Sequence, residues 1–115
     1  MTYTTLREAG VEVRRKAEFT GNNIYGRWFT DDNTEHSWYV VYSYGDHFPM
    51  YVYDESAGLW FGNRDKYSPS TSRHQSACHP PEVNAWYSTD FMKRLARSGF
   101  PKVAAERVEG VAHAA

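Results

Sequence analysis

The segment RDKYSPSTSRHQS carries the side chains best suited to chemistry in this sequence. It contains Arg64, Lys66, Arg73 and His74, interleaved with serine and threonine hydroxyls. Guanidinium, ammonium and hydroxyl donors of this kind hold phosphate and other anions. The same groups could instead pair with nearby carboxylates and cap the loop, so anion binding and a structural role are equally economical. The sequence has no phosphate-binding glycine motif, which argues against a metabolic nucleotide enzyme.

Two further types of chemistry are available close by, at His74, Cys78 and His79. A histidine and a cysteine four residues apart on a helix can both reach a zinc ion, but the chain has one cysteine and no C-x-x-C pair. A cysteine activated by histidine would make a small Cys/His hydrolase, yet no nucleophile elbow or ordered triad accompanies it. We therefore expect no metal and no cofactor, and favour a protein that is not an enzyme.

These residues need a scaffold, and the stretch Ser37–Asp54 is the element around which it is built. Its sequence SWYVVYSYGDHFPMYVYD reads as two strands joined at Gly45-Asp46. A two-residue loop that starts with glycine matches the twist of the flanking strands. This register pairs Tyr44 with His47, Tyr42 with Pro49, Val40 with Tyr51 and Trp38 with Tyr53. Because Pro49 cannot donate to the ladder, it places the strand at an edge or forces a bulge.

The predicted register divides the hairpin into an aromatic face and a core face, since paired residues share a face. The aromatic face contains Trp38, Tyr42, Tyr44, His47, Tyr51 and Tyr53. The core face contains Tyr39, Val41, Phe48, Met50 and Val52. Open surfaces rich in tyrosine are typical of protein interfaces and of platforms that stack on bases. We expect helices from the tail to cover part of the aromatic face and leave some rings open.

The remaining segments predict a single α+β domain over residues 1–115. We expect one helical turn with a capping box at Thr5–Gly10, then strands at Val11–Thr20, Ile24–Thr30 and Leu59–Gly62. The segment Arg64–Ser76 is predicted to be a long loop with at most a short helix. Helices are predicted at 90–98 and 102–109. The fold prediction is an antiparallel β-sheet of about five strands with two short C-terminal helices packed on one face.

Composition limits the partners. The 115 residues are 41% hydrophobic and 17% aromatic, with a formal net charge of -1. Duplex DNA or an anionic membrane would call for a clear excess of Lys and Arg, so neither is expected as a partner. The single cysteine favours a reducing compartment. With no basic leader and no long apolar run, the sequence predicts a soluble, cytoplasmic protein without a membrane partner. It leaves the oligomeric state open.

Two motifs resemble a small uncharacterised domain carried by bacteriophages. They are the hairpin Y-S-Y-G-x-H-F-P-M-Y-V-Y-D, here Tyr42–Asp54, and the loop K-Y-S-x-(S/T)-T-S-R-H-Q, here Lys66–Gln75. The resemblance spans about a third of the chain, from Trp38 to Pro80, and implies no activity. It implies a setting, the phage-infected host cytoplasm, in which small proteins often bind and block a host defence complex.

The sequence thus supports three functional hypotheses. The first is a non-catalytic inhibitor, similar to an anti-CRISPR protein, that binds a host protein or ribonucleoprotein complex of a CRISPR-type or comparable anti-phage system. The second is a protein that binds or sequesters a nucleotide or single-stranded nucleic acid, and the third is the small Cys/His hydrolase. For the first two, we expect the binding residues to converge where the hairpin turn meets the basic loop: Tyr44, His47, Tyr51, Arg64, Lys66, Arg73 and His74.

Overall fold

The computed structural model describes residues 4–66 and 68–100. In chain order the elements are helix α1 (Leu6–Arg15), strands β1 (Phe19–Thr20), β2 (Ile24–Thr30), β3 (Ser37–Ser43), β4 (Pro49–Asp54) and β5 (Leu59–Asn63), helix α2 (Pro69–Ala77), strand β6 (Ala85–Tyr87) and helix α3 (Thr89–Ser98). The strands form one sheet in the order of the chain. This confirms the predicted α+β class.

The sheet differs from the prediction in strand number and direction. Strands β1 to β5 form the expected antiparallel meander, but a sixth strand, β6, pairs in parallel with β5. Helix α2 lies in the connection between β5 and β6, and such a crossover returns the chain in the same direction. Asn84 fixes the start of β6, because its backbone and its side chain both bond to the backbone of Trp60. A three-residue strand is too short for its periodicity to predict it.

The predicted strand Val11–Thr20 is wrong over most of its length, because α1 continues to Arg15. The helix begins at the predicted capping box, in which the Thr5 hydroxyl accepts a bond from the Glu8 amide and the Glu8 carboxylate accepts one from the Thr5 amide. It ends at Lys16, whose φ of 56° is left-handed. Val13 is buried and extends the apolar face of the first helical turn. This spacing of buried residues is typical of a helix and differs from the alternation of buried and exposed residues in a strand.

The register of the central hairpin also departs from the prediction. Tyr42 pairs with Pro49 as expected, but Val41 rather than Val40 pairs with Tyr51, so Met50 is an extra residue on β4. This is the bulge that Pro49 made possible, since its nitrogen carries no hydrogen for the ladder. The turn is longer than two residues, because the amide of Ser43 donates to the carbonyl of Phe48 at 3.1 Å.

The bulge divides the predicted aromatic face between the two sides of the sheet. Trp38 and Tyr42 pack on the side of α3, whereas Tyr51 and Tyr53 belong to the opposite side, on which α1 and α2 lie. All five residues of the predicted core face are buried, but they divide too. Val52 packs on the α3 side, and the other four pack on the α1 and α2 side: Tyr39, Val41, Phe48 and Met50.

The helices therefore lie on both faces of the sheet and not on one. Helix α3, capped by Ser88, covers Trp38 and Tyr42 as predicted, and Trp38 Nε1 donates to the carbonyl of Ala96 at 2.7 Å. The second predicted C-terminal helix, 102–109, lies outside the described residues. The long loop predicted at 64–76 contains α2 because Ser68 caps it and Pro69 occupies its first turn, where proline is tolerated.

The contact between α1 and α2 leads to a stability prediction at Gly10. A Cβ placed on Gly10 would collide with the backbone carbonyl of Ala77. Gly10→Ala should therefore lower the free energy of unfolding by about 1–3 kcal/mol through overpacking, although alanine is the better helix former by about 1 kcal/mol. Urea denaturation measures the change. The exposed Val11→Ala, in the same helix, should stay within about 0.5 kcal/mol of the parent. An increase in stability for Gly10→Ala would show that the helices do not meet here.

Candidate functional site

Helix α2 places the predicted basic segment against the central hairpin. The hydroxyl of Ser68 accepts a bond from the amide of Thr71 at 3.1 Å, which satisfies one free donor at the helix start. Thr71 and His74 then lie on the buried side of the helix, and Arg73 is exposed. The basic segment is thus ordered as a helix, and its side chains divide between core and surface.

His74 connects α2 to the hairpin through its ring. Its Nδ1 lies 2.8 Å from Oγ of Ser43, which in turn lies 3.2 Å from Oγ1 of Thr71. The ring stacks on Tyr44, with centroids 5.5 Å apart and planes inclined by 28°. Burial, followed by the positive charge of Arg73, lowers the pKa of His74 below its ordinary 6.5. The imidazole is therefore held neutral and acts as a structural support.

Tyr44 is an exposed ring in a fixed position. Its φ of 57° is left-handed, which a residue with a large side chain rarely adopts, and its amide donates to the carbonyl of Asn23 at 2.8 Å. The ring is 36% exposed above His74. Backbone strain of this kind persists only where neighbouring contacts enforce it, and it is common at binding sites. The hairpin turn and the basic segment do meet at this ring.

Tyr51 was expected to be part of the binding site, but the structure places it in the core. It is 1% exposed, and its hydroxyl donates to the backbone carbonyl of Gln75 at 2.7 Å. Burial raises the pKa of this phenol well above its ordinary value. The physical reason is the bulge at Met50, which turns Tyr51 towards α2. Tyr51 therefore anchors α2 and is not available to a ligand.

Arg64, Lys66 and Arg73 are exposed and are not assembled around a cavity that the structure describes. Nζ of Lys66 lies 3.5 Å from Oε1 of Gln75, a contact within the protein. The amide of Arg64 donates to the carbonyl of Tyr87, which fixes its backbone beside β6. Of these three cations, only Arg73 lies on α2, the helix that carries His74.

His47 does not lie beside Arg73 and His74 but lines a pocket between the hairpin turn and α3. This pocket has a volume of about 490 Å³. His47 and Asp46 come from the turn and Lys93 and Arg97 from α3. The full lining is Phe29, Tyr42, Asp46, His47, Lys93, Ala96 and Arg97. This site was not predicted from the sequence, although the spacing of Lys93 and Arg97, four residues apart on the polar side of α3, was a usable signal.

Trp86 is a second exposed ring, and it was not predicted as a site residue. It is 45% exposed on β6, at the edge of the sheet, and it packs against His79 with ring centroids 5.8 Å apart. Its ring also meets Tyr51 at 6.3 Å. A tryptophan between Pro81 and Ser88, outside every predicted helix and strand, was the available signal.

The catalytic and metal hypotheses find little support in the geometry. Cys78 is fully buried, and burial raises the pKa of its thiol to about 12, the opposite of what a nucleophile needs. Within residues 4–66 and 68–100, no three side chains of His, Cys, Asp or Glu are grouped so that they could hold a metal ion. In the same ranges, no helix is long and apolar enough to cross a membrane.

Compared with protein-family models, curated proteins and solved structures, the chain has no significant match. Its function has to be argued from its own surfaces.

The lowered pKa of His74 predicts a pH dependence of stability. Because the folded pKa lies below the unfolded one, the unfolded chain binds more protons as the pH falls below 6.5, and the free energy of unfolding decreases. The decrease in the free energy of unfolding between roughly pH 7.5 and 5.5 should be smaller in His74→Gln than in the parent. Urea denaturation of both proteins across this range measures the difference. Equal slopes in parent and His74→Gln would contradict the assignment.

The burial of Cys78 predicts its reactivity. In the native protein the thiol should react with Ellman's reagent at pH 8 at least about a hundredfold more slowly than in urea, because both access and ionisation are suppressed. Stopped-flow or manual absorbance measurements give both rates. Similar rates in the native and unfolded protein would mean that the thiol is accessible, and the hydrolase hypothesis would regain support.

Proposed function

We propose that this chain is a non-catalytic binding protein that blocks a host anti-phage defence assembly. It does so by covering a protein surface of that assembly. The surface used is the one around α2, defined by Tyr44, Arg73, His79 and Trp86 and called here the α2 surface. All four residues are exposed. The partner class follows from the resemblance of the hairpin and α2 sequences to a bacteriophage domain.

The observation that carries this proposal is the pair of exposed rings that rest on histidines of the α2 region. Tyr44 stacks on His74 within the helix, and Trp86 packs on His79 just beyond its end. Tyrosine, tryptophan and arginine are the residues that most often dominate the energy of protein interfaces. Arg73 adds the third of these types on the exposed side of α2.

Both rings are held in place before any partner arrives, which lowers the entropic cost of binding. The backbone of Tyr44 is fixed by its bond to Asn23. The Trp86 ring lies over Gly62, where a Cβ would come within 2.6 Å of it, so the glycine leaves room for the ring. Rigid aromatic anchors of this kind supply contact area while immobilising few side-chain torsions.

The other two hypotheses fit the α2 surface less well. A hydrolase would need an accessible thiolate, and the Cys78 thiol is buried with a raised pKa. A nucleotide site built from Arg64, Lys66 and Arg73 would need these cations around a common cavity, and none of them lines the pocket beside α3. The α2 surface therefore favours a protein partner.

Removal of either ring should weaken the inhibition without unfolding the protein. In bacteria that carry a defined CRISPR-type system, expression of the parent chain should restore plaque formation by a targeted phage. Tyr44→Ala and Trp86→Ala should each weaken binding of the co-purified defence complex at least about tenfold, as expected for interface anchors. Titration of the purified complex with each variant measures this.

Val11→Ala and Arg7→Ala are matched controls, since both remove exposed side chains from α1 and should keep parental binding. Thermal unfolding of each variant separates loss of binding from loss of fold. If folded Tyr44→Ala and Trp86→Ala inhibit as well as the parent, the α2 surface is not the recognition surface. If the parent restores no plaques and binds no defence complex from hosts with different systems, the proposed function is wrong.

A further inference from the structure

The pocket between α3 and the Tyr44–His47 turn, called here the α3 pocket, is on the opposite side of the sheet from the α2 surface. Its volume of about 490 Å³ lies in the range of small-molecule sites. Tyr42 and Ala96 line it from the sheet and the helix, while Asp46 and His47 line it from the turn. It therefore combines apolar surface with a few polar groups, as ligand sites usually do.

Lys93 and Arg97 give the pocket an excess of positive charge. They are four residues apart, so they lie on the same side of α3, one turn apart. Among the described residues, neither forms an ion pair with a carboxylate. Asp46 contributes one negative charge to the lining, which leaves a formal net charge of +1 before His47 is counted. An anionic group is the ligand that this arrangement favours.

The Tyr42 hydroxyl adds a polar group to the pocket. Tyr42 is 5% exposed as a residue and lines the pocket. Its ring stacks on Tyr25 at 5.0 Å with an angle of 26°, which fixes the direction of the phenol. Burial raises the pKa of Tyr42, so the group remains a donor at neutral pH. The hydroxyl can therefore donate a hydrogen bond to an oxygen of an anionic ligand.

Phe29 adds a flat apolar wall. Its ring is 37% exposed and rests on Trp38, with centroids 6.2 Å apart and planes inclined by 24°. A supported ring of this kind can stack on a nucleobase. Asp46, in the same lining, can accept hydrogen bonds from an amino group of a base or from a ribose hydroxyl.

We propose that the α3 pocket binds one nucleotide unit, with its phosphate between Lys93 and Arg97 and its base on Phe29. The Tyr42 hydroxyl donates to a phosphate oxygen, and Asp46 accepts from the sugar or base. The same chemistry is offered by a free nucleoside monophosphate and by one residue of a single strand. This site is separate from the α2 surface, so the nucleotide-binding proposal does not depend on the proposed inhibition.

Isothermal titration calorimetry at low salt tests the site with defined probes: AMP, GMP, CMP and UMP, the matching nucleosides, inorganic phosphate and a single-stranded RNA hexamer. At least one monophosphate should bind, and should bind at least about tenfold more tightly than its nucleoside or inorganic phosphate. Tighter binding of the hexamer identifies a strand as the source of the ligand. Equal or weaker binding of the hexamer identifies a free nucleotide.

Variants assign the binding to the pocket. Lys93→Gln and Arg97→Gln should each weaken binding of the monophosphate at least about fivefold. Tyr42→Phe should also weaken this binding, and it should keep the parental melting temperature. Phe29→Ala should weaken binding of nucleotides but not binding of inorganic phosphate. The matched control is Arg94→Gln, on the same helix but outside the pocket lining.

Three results would overturn the proposal: no binding of any monophosphate or of the hexamer, inorganic phosphate bound as tightly as the nucleotides, or equal weakening by Arg94→Gln and Lys93→Gln. The plaque assay separates this proposal from the proposed function. Lys93→Gln and Arg97→Gln should still restore plaques, whereas Tyr44→Ala should still bind the nucleotide.

Discussion

The missing amide hydrogen of Pro49 is the constraint on which the arrangement of this protein depends. It interrupts the ladder between β3 and β4, and Met50 becomes an extra residue at that point. The carbonyl of Pro49 is bonded by a side chain of the next strand, Nδ2 of Asn63, at 3.0 Å. The same amide nitrogen also donates to Thr89 at the start of α3, at 3.1 Å. One buried side chain thus joins the bulge to the helix that covers it.

The bulge determines which rings are core and which are surface. With the register shifted, Tyr51 points towards α2 and anchors it, while Tyr42 points towards α3 and lines a pocket. The hairpin turn then serves both sides of the sheet, because Tyr44 rests on α2 and His47 lines the pocket beside α3. A sheet covered on both faces can in this way present two separate binding surfaces from one short turn.

Much of the fold could be predicted from local signals. The bounds of β2, the capping box at Thr5 and the cap of α3 follow from residue types at short range, and the structure has all three. The errors arise where long-range contacts decide. Val11–Arg15 has strand-like residues but is helical because Val13 packs in the core, and β6 exists only because α2 returns the chain alongside β5. At the site, the meeting of Tyr44 with His74 was predictable from topology. The position of Tyr51 against α2 was not, since it depends on the bulge.

The most direct test of this account is a set of side-chain NOEs measured by NMR on the native protein. The register described here predicts contacts from the Tyr51 ring to Gln75 on α2 and from the Tyr42 ring to Ala96 on α3, with Val41 opposite Tyr51 across the strands. An uninterrupted hairpin would instead place Tyr42 and Tyr51 on the same face, with Val40 opposite Tyr51. NOEs from both tyrosine rings to one helix would contradict the bulge and the separation of the two surfaces that follows from it.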